Sequence, residues 1–379
     1  MDIFEKIGVK KYINAHDSYT IYGGSRMSEK VLNAMAEMAK YFVDIDELQE
    51  VLGGKIAKLT QNEGAYITNG ASAGILTSVA ACVAGKNEYY QHMLPNTEGL
   101  KHEIIVMQGQ RNAYDKAIEC SGAKIVEVGG LDKTYQTLEW ELDGAINNNT
   151  AGLLYFSDLD AVPPLLSIEK VIEVCKKRSI YVIVDAAAQL PPVENLWNFT
   201  KAGADLAIFS GGKTLSGPQT SGLIVGKREL IDICKMIGAP HHGIARSSKV
   251  GREEMVGLFI AVEEYLSKDH RAFNDELEQI VQKLIKELND MKVFKAERLY
   301  PGPFRQTYPR AMARIVADFK AEELAKLMRA SNPGVYIGIL KDYLKEHENS
   351  IYINPLHLKN NEVEIVLDTL KKCVKKLVR

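Results

Sequence analysis

Cysteine is scarce and unpaired in this sequence. Five cysteines, at positions 82, 120, 175, 234 and 373, are spread through 379 residues and never form a Cys-x-x-Cys pair. An odd, scattered set argues against a disulfide scaffold or a zinc ribbon and for a reducing compartment, so a cytoplasmic location is expected. No apolar run reaches membrane-spanning length, and the opening Met1-Asp2-Ile3-Phe4-Glu5-Lys6 lacks the form of a signal peptide. Neither sign of charge is in excess. There are 47 basic side chains against 49 acidic ones, a formal net of −2. That balance gives no general attraction to nucleic acid or anionic lipid, and neither is expected as a partner. The eight histidines contain no His-Glu-x-x-His pattern, so no metal site is indicated. No repeat, low-complexity tract or Pro/Ser-rich linker interrupts the chain.

The length is too great for one simple core and points to about two domains. The middle of the chain alternates short apolar runs with amphipathic stretches. Candidate strands are Ala65–Thr68, Glu103–Met107, Lys124–Val128, Ala151–Phe156, Tyr181–Val184, Leu206–Phe209 and Ser221–Val225. Between many of them lie helical patterns such as Ser167–Arg178, where Ile168, Val171, Ile172 and Cys175 repeat at helical spacing. Runs such as Tyr-Val-Ile-Val are apolar on both faces, which predicts a mainly parallel α/β sheet of seven or so strands covered on both sides. From Glu253 to about Met291 the pattern is almost wholly helical. Short strands (Ala311–Val316, Gly334–Ile337, Ser350–Ile353) and helices (Ala321–Met328, Glu362–Val378) follow, predicting a small α+β C-terminal domain. The division expected is an N-terminal segment 1–45, a large domain 46–255, and a linking helix with the small domain, 256–379.

The most informative stretch is Ala204-Asp205-Leu206-Ala207-Ile208-Phe209-Ser210-Gly211-Gly212-Lys213-Thr214. A buried-type strand ends in a turn holding Ser210, two glycines and a lysine. Glycines let the backbone bend tightly and approach a ligand closely. A lysine at the mouth of a sheet forms a Schiff base when its surroundings lower its pKa. Earlier in the chain, Tyr181-Val182-Ile183-Val184-Asp185 ends another such strand in an aspartate. Ligands of open α/β sheets bind at the carboxyl ends of parallel strands, and an acid there can hold the proton of a pyridinium ring. Alone, Lys213 would be a loop residue and Asp185 a helix cap. Their order and spacing, with Ser210 three residues before the lysine, favour a pyridoxal phosphate site. A third element agrees. Tyr66-Ile67-Thr68-Asn69-Gly70-Ala71-Ser72 is strand, small-residue turn and helix start, an arrangement whose free amides suit a phosphate. It matches neither a Gly-x-Gly-x-x-Gly fingerprint nor a Walker loop, so nucleotide binding is not favoured.

At these residues the chain resembles the fold-type-I pyridoxal phosphate enzymes, which have the aspartate aminotransferase fold, and within them the branch related to bacterial selenocysteine synthase. The likeness runs nearly end to end. Its landmarks include Ile13-Asn14-Ala15, Tyr22-Gly23-Gly24-Ser25, Phe42-Val43-Asp44, Glu47-Leu48-Gln49, Gln108–Asp115, Val184–Pro192, Phe209–Lys213, Gly217-Pro218-Gln219 and Lys249–Glu254. The resemblance implies that Lys213 bonds the cofactor and removes the α-proton, that Asp185 pairs with the pyridine nitrogen, and that Ala187 lies under the ring. Ser210, Gly70, Ala71 and Ser72 would hold the phosphate. Gly217, Pro218 and Gln219 would reach toward a neighbouring subunit's cofactor in a homodimer or higher homo-oligomer with sites at its interfaces, and the N-terminal segment would line the site. Gln110, Arg111 and Asn112 are offered for stacking on the ring, and Arg111 is preferred because its guanidinium is planar. Two departures from selenocysteine synthase stand out. That enzyme has an acidic residue where this chain has Gly212, and an N-terminal tRNA-binding domain where the resemblance here begins within the first 15 residues. With no basic surplus, a tRNA-modifying role is not expected.

A small amino-acid-like substrate needs a cation for its carboxylate, and a phosphorylated one needs more. Arg26 and Arg252 are the first candidates, then Arg314, with Arg246 and Arg310 also considered; Arg310 and Arg314 share one face of a strand. His16, His241 and His242 read as structural histidines ahead of proton shuttles. The resemblance implies an ammonia-lyase of 2-amino-2-deoxy sugar acids, in which loss of the α-proton and of a β-hydroxyl leads to a 2-keto-3-deoxy acid and ammonia. Aminotransferase, racemase or aldolase chemistry would use the same Lys213 and Asp185. A non-catalytic cofactor-binding protein would not require them.

Overall fold

The computed structural model describes residues 2–130, 137–157, 166–303, 305–340 and 348–378. Its described strands are β1 (Tyr12–Ala15), β2 (Gly64–Thr68), β3 (Glu103–Met107), β4 (Lys124–Val128), β5 (Thr150–Phe156), β6 (Tyr181–Asp185), β7 (Leu206–Ser210), β8 (Gly222–Gly226), β9 (Phe294–Leu299), β10 (Arg310–Ile315), β11 (Gly334–Leu340) and β12 (Ser350–Ile353). They make two sheets, ordered β2-β8-β7-β6-β5-β3-β4 and β1-β11-β12-β10-β9. The chain likewise divides into two compact units: Gly24–Ser267, and Met1–Gly23 together with Lys268–Arg379.

In the Gly24–Ser267 unit the sheet is parallel except for β8, which runs antiparallel to both β2 and β7. Alternate residues of each strand feed two separate cores. Ile67, Val184, Phe209 and Leu223 join one, with residues of the helices Ile45–Leu59, Ile168–Lys177 and Arg252–Ser267. Tyr66, Ile183, Ile208 and Ile224 join the other, with the helices Gly70–Ala84 and Arg228–Ile237. Two buried faces explain why these strands read as unbroken apolar runs rather than alternating ones, and each fully buried aliphatic side chain contributes about 1.5–3 kcal/mol. At the sheet edge, β2 has its outward backbone groups covered. The buried Gln49 side chain donates to the Ile67 carbonyl at 2.7 Å and accepts from the Ile67 N–H at 3.3 Å.

In the other unit β1 runs parallel to β11, and the remaining neighbours are antiparallel. The helices His270–Asp290, Ala321–Ala330 and Asn360–Leu377 share a core with this sheet. The helical stretch expected from Glu253 onward is two helices, Arg252–Ser267 and His270–Asp290. Asp269 ends the first run by capping the second, its carboxylate accepting from the Ala272 N–H at 3.0 Å.

A polar cluster lies buried in this unit. Arg310 has no exposed surface, and its Nη2 donates to Asp17 (2.9 Å), Gln306 (3.1 Å) and Tyr308 (2.7 Å). Asp17 also accepts from Asn354 at 2.7 Å and from the Tyr352 hydroxyl. Burial alone would raise the Asp17 carboxyl, but the Arg310 charge and these hydrogen bonds outweigh it and hold it below its ordinary value. The Nε and Nη1 of Arg310 are buried without a partner among the described residues.

Candidate active site

The parallel strands bring the sequence-predicted cofactor residues to one end of the sheet. β6 ends at Asp185, which stands opposite Phe156 on β5 and Ile208 on β7. Only 5% of Asp185 is exposed, and its carboxylate accepts from the Ala187 N–H at 2.9 Å. Ala187 is thereby fixed beside the acid. β7 ends at Ser210, paired with Gly222 of β8, and Gly222 is in turn paired with Thr68 of β2. The pairing places Thr68, Gly222 and Ser210 in one row across three strands.

Gly222 has no room for a side chain. A Cβ there would come within 2.4 Å of the Gly70 carbonyl carbon and 2.6 Å of Thr68 Oγ1. The start of the Gly70–Ala84 helix therefore presses directly on this row, and Thr68 Oγ1 donates to the Gly70 carbonyl at 3.0 Å. Further along, Gly74 lets the helix pack closely on the sheet, since a Cβ would lie 2.8 Å from Ile208 Cγ2. The helix has no side-chain cap and no acidic residue in its first turn. The Asn69 side chain is committed elsewhere, donating to the Lys249 carbonyl at 2.9 Å. Uncapped N–H groups at the positive end of a long helix suit a phosphate dianion. The buried Asp185 carboxylate suits a protonated ring nitrogen, and Lys213 is half-buried in the turn after Ser210. The residues present fit pyridoxal phosphate.

The turn carrying Lys213 is tightly knitted. Gly211 donates to the Ser221 carbonyl at 2.9 Å, Gly217 to Gly211 at 2.8 Å, and Ser216 to Lys213 at 2.9 Å. The Thr214 hydroxyl donates to the Leu190 carbonyl at 2.7 Å, tying the turn to the segment that follows Asp185. A Cβ at Gly212 would lie 2.7 Å from the Gln219 Cα, so the loop Gly217-Pro218-Gln219 leaves no room for a side chain there. The N-terminal part of the unit lies on this turn. Ser25 donates its N–H to the Gly212 carbonyl at 2.9 Å, and Gly24 (φ +73°) sits so close that a Cβ would be 2.8 Å from the same oxygen.

The remaining candidates are placed as follows. Arg111 is ion-paired with Asp115 at 2.6 Å and with Glu127, which engage the edge of its guanidinium. Its neighbour Gln110 is fully buried and braces the end of β5, donating to the Phe156 carbonyl at 2.7 Å. Arg26 is exposed and directly follows Ser25. Arg252 opens its helix, donating to the Ala39 carbonyl at 3.1 Å and pairing with Glu253 at 3.1 Å. Arg246 lies in the turn Ile244–Ser248, its Nε buried without a partner among the described residues. Arg314 is exposed on β10 and Arg310 is the buried partner of Asp17, both in the other unit. Among the described residues no group of histidine, cysteine or acidic side chains could hold a metal, and no helix is long and apolar enough to cross a membrane. Gly222 was not legible as a site residue, because only strand register brings it beside Thr68 and Ser210. Composition carried no signal for that register.

Comparison with known proteins finds relatives of the whole chain and of its fold. The SelA family model, L-seryl-tRNA selenium transferase, matches residues 20–317. A D-glucosaminate-6-phosphate ammonia lyase of Salmonella typhimurium is 32% identical over 98% of this chain and 97% of its own length. A 5'-C-glycyluridine monooxygenase-decarboxylase of a Streptomyces species is also 32% identical, over 97% of this chain and 91% of its own. A solved structure of D-glucosaminate-6-phosphate ammonia-lyase superposes with a TM-score of 0.84 at 30% identity, covering 99% of both chains. An aspartate aminotransferase of Thermotoga maritima superposes at 0.54 with 14% identity, over 98% of this chain and 94% of its own, a likeness of fold.

Proposed function

The chain belongs to the SelA family of pyridoxal phosphate enzymes, and on that premise we propose that it is an ammonia-lyase acting on a 2-amino-2-deoxy sugar acid. The substrate proposed is D-glucosaminate 6-phosphate, and the products are a 2-keto-3-deoxy sugar acid phosphate and ammonia. The observation that supports this most is the near-complete overlap with a lyase of that name, at a TM-score of 0.84, joined to a site whose residues suit the cofactor.

Bound at the end of the sheet, pyridoxal phosphate would supply a sink for the electron pair left on the substrate's α-carbon. Ser210, Gly70, Ala71 and Ser72 would hold its phosphate, and Asp185 would keep its ring nitrogen protonated. Arg111, whose guanidinium is paired with Asp115 and Glu127, would stack on the ring. Lys213 would anchor the cofactor and then take the α-proton, its amine carried by a turn braced at Ser216, Gly217 and Thr214. Arg26, Arg252 and Arg246, all in the Gly24–Ser267 unit, are assigned to the substrate's carboxylate and phosphate. Gly217, Pro218 and Gln219 are assigned to a neighbouring subunit's cofactor in a homo-oligomer.

The test is Lys213→Ala. The wild-type protein is expected to be yellow, to be bleached by borohydride with the label on Lys213, and to release ammonia and a 2-oxo acid in equal amounts from D-glucosaminate 6-phosphate. A Lys213→Ala protein with full turnover would refute the scheme. The equal identity to the Streptomyces enzyme supports a second reading, a monooxygenase-decarboxylase. Oxygen uptake with carbon dioxide release, in place of ammonia release under nitrogen, would select it.

A further inference from the structure

Ser25 is unexplained by the roles assigned so far. Its backbone is fixed, since its N–H donates to the Gly212 carbonyl at 2.9 Å, the residue directly before Lys213. Gly24 beside it packs on the Gly212 carbonyl and on Gln219. The hydroxyl, by contrast, is buried and has no hydrogen-bond partner among the described residues. A buried, unpartnered hydroxyl is costly, and alanine at the same position would carry no such cost. Serine hydroxyls usually satisfy themselves on nearby backbone in turns. This one does not, although Ser28, three residues on, caps its helix in that way by accepting from Val31. An unsatisfied hydroxyl held rigidly against the catalytic turn has the property expected of a group whose partner arrives with the ligand.

We propose that the Ser25 hydroxyl is a substrate-binding group of the Lys213 site, hydrogen-bonded to an oxygen of the bound amino sugar acid. A hydroxyl both donates and accepts, so it can serve a carboxylate or an alcohol oxygen of such a molecule. Because the Ser25 backbone rides on Gly212, the bond registers the substrate against the Lys213 turn itself rather than against a separate loop. The proposal rests on the reading of Lys213 as the reactive lysine.

The experiment compares the holoenzyme with its Ser25→Ala and Ser25→Thr forms. D-Glucosaminate 6-phosphate is the probe, and ammonia release, the substrate-induced change in cofactor absorbance, cofactor affinity and thermal midpoint are read. Loss of one hydrogen bond to substrate predicts about a tenfold rise in KM, or a matching fall in kcat/KM, for Ser25→Ala. The same variant is expected to keep its cofactor affinity and to melt no lower than wild type, since only an unpartnered group is removed. Ser25→Thr, which restores the hydroxyl, recovers at least part of the loss. Three outcomes would overturn the proposal: unchanged KM and kcat in Ser25→Ala, a lowered thermal midpoint accounting for the whole loss, or weakened cofactor binding with substrate affinity intact. Each of these leaves Lys213→Ala inactive and the lyase reading standing. An active Lys213→Ala protein removes that reading itself.

Discussion

Arg310 and Asp17 offer a quantitative test of how the Met1–Gly23 and Lys268–Arg379 segments are held together as one unit. Arg310 is fully buried and Asp17 is only 6% exposed, with 2.9 Å between Nη2 and the carboxylate. Replacing Arg310 with methionine keeps most of the volume and leaves a buried carboxylate whose remaining polar partners among the described residues are Tyr352, Asn354 and the partly buried His16. Breaking one side of a buried pair costs about 3–5 kcal/mol. Asp17→Asn should cost a similar amount by stranding the guanidinium. The double variant should cost much less than the sum, because it leaves neither the Asp17 carboxylate nor the Arg310 guanidinium buried without its partner. A coupling energy of about 2 kcal/mol or more is therefore expected. The assay must report on this unit. Both tryptophans, Trp140 and Trp197, lie in the Gly24–Ser267 unit, so a probe inside the other unit is needed. Native-state hydrogen exchange at the amides of β10 and β12 reads the right region. Single-variant losses below about 1 kcal/mol, or additive losses, would refute the reasoning.

Two further tests address the cofactor cup and the same polar cluster. Gly222→Ala forces a Cβ to within 2.4 Å of Gly70, so either the helix start or β8 must shift. A cost of about 1–3 kcal/mol is expected, with a lower thermal midpoint and weaker retention of pyridoxal phosphate, measured by dialysis and absorbance; unchanged retention would argue against the Gly70 turn as the phosphate site. His16 is held below its ordinary pKa because burial outweighs the attraction of Asp17, and Arg310 adds to the depression. The unfolded chain therefore binds more protons than the native one just below about pH 6.5, so His16 lowers stability as the pH falls through that window and has no effect above it. Melting between pH 5 and 7.5 should show that slope flattened in His16→Gln, and an unaltered slope would exclude the assignment.

The large sheet could be read from sequence because burial on both faces leaves no alternation to confuse with a helix. β6, Tyr-Val-Ile-Val-Asp, and β8, Gly-Leu-Ile-Val-Gly, are apolar throughout their centres. The residues proposed to hold the cofactor stand out in the sequence for a related reason: Asp185, Ser210 and Lys213 sit at or just beyond strand ends, and each strand announces itself. β1 and β9 were not. β1 is four residues long and pairs with β11 at Gly334–Ile337, far beyond any local pattern. β9 reads Phe-Lys-Ala-Glu-Arg-Leu, a composition that suits a helix, and it pairs with one neighbour only. Arg310 and Arg314 share a face by parity, yet one is wholly buried and the other exposed. The difference comes from Asp17 and Asn354, contributed by distant segments whose arrival no spacing rule foretells. Ser25 escaped for the same reason, since only the hydrogen bond to Gly212 connects it with the lysine turn.

The pairing of β1 with β11 also bears on how the chain is made. Ribosomal synthesis delivers Tyr12–Ala15 well before its partner Gly334–Ile337. At about 5–20 residues per second, the first strand waits on the order of tens of seconds for its match. Meanwhile the uninterrupted stretch Gly24–Ser267 emerges with every strand of its own sheet and can fold first. The order of translation thus assembles the Gly24–Ser267 unit, which holds Lys213 and Asp185, before the unit that draws on Met1–Gly23 and Lys268–Arg379. Throughout that interval Tyr12–Ala15 lacks its partner strand, an unpaired edge of the kind that invites aggregation.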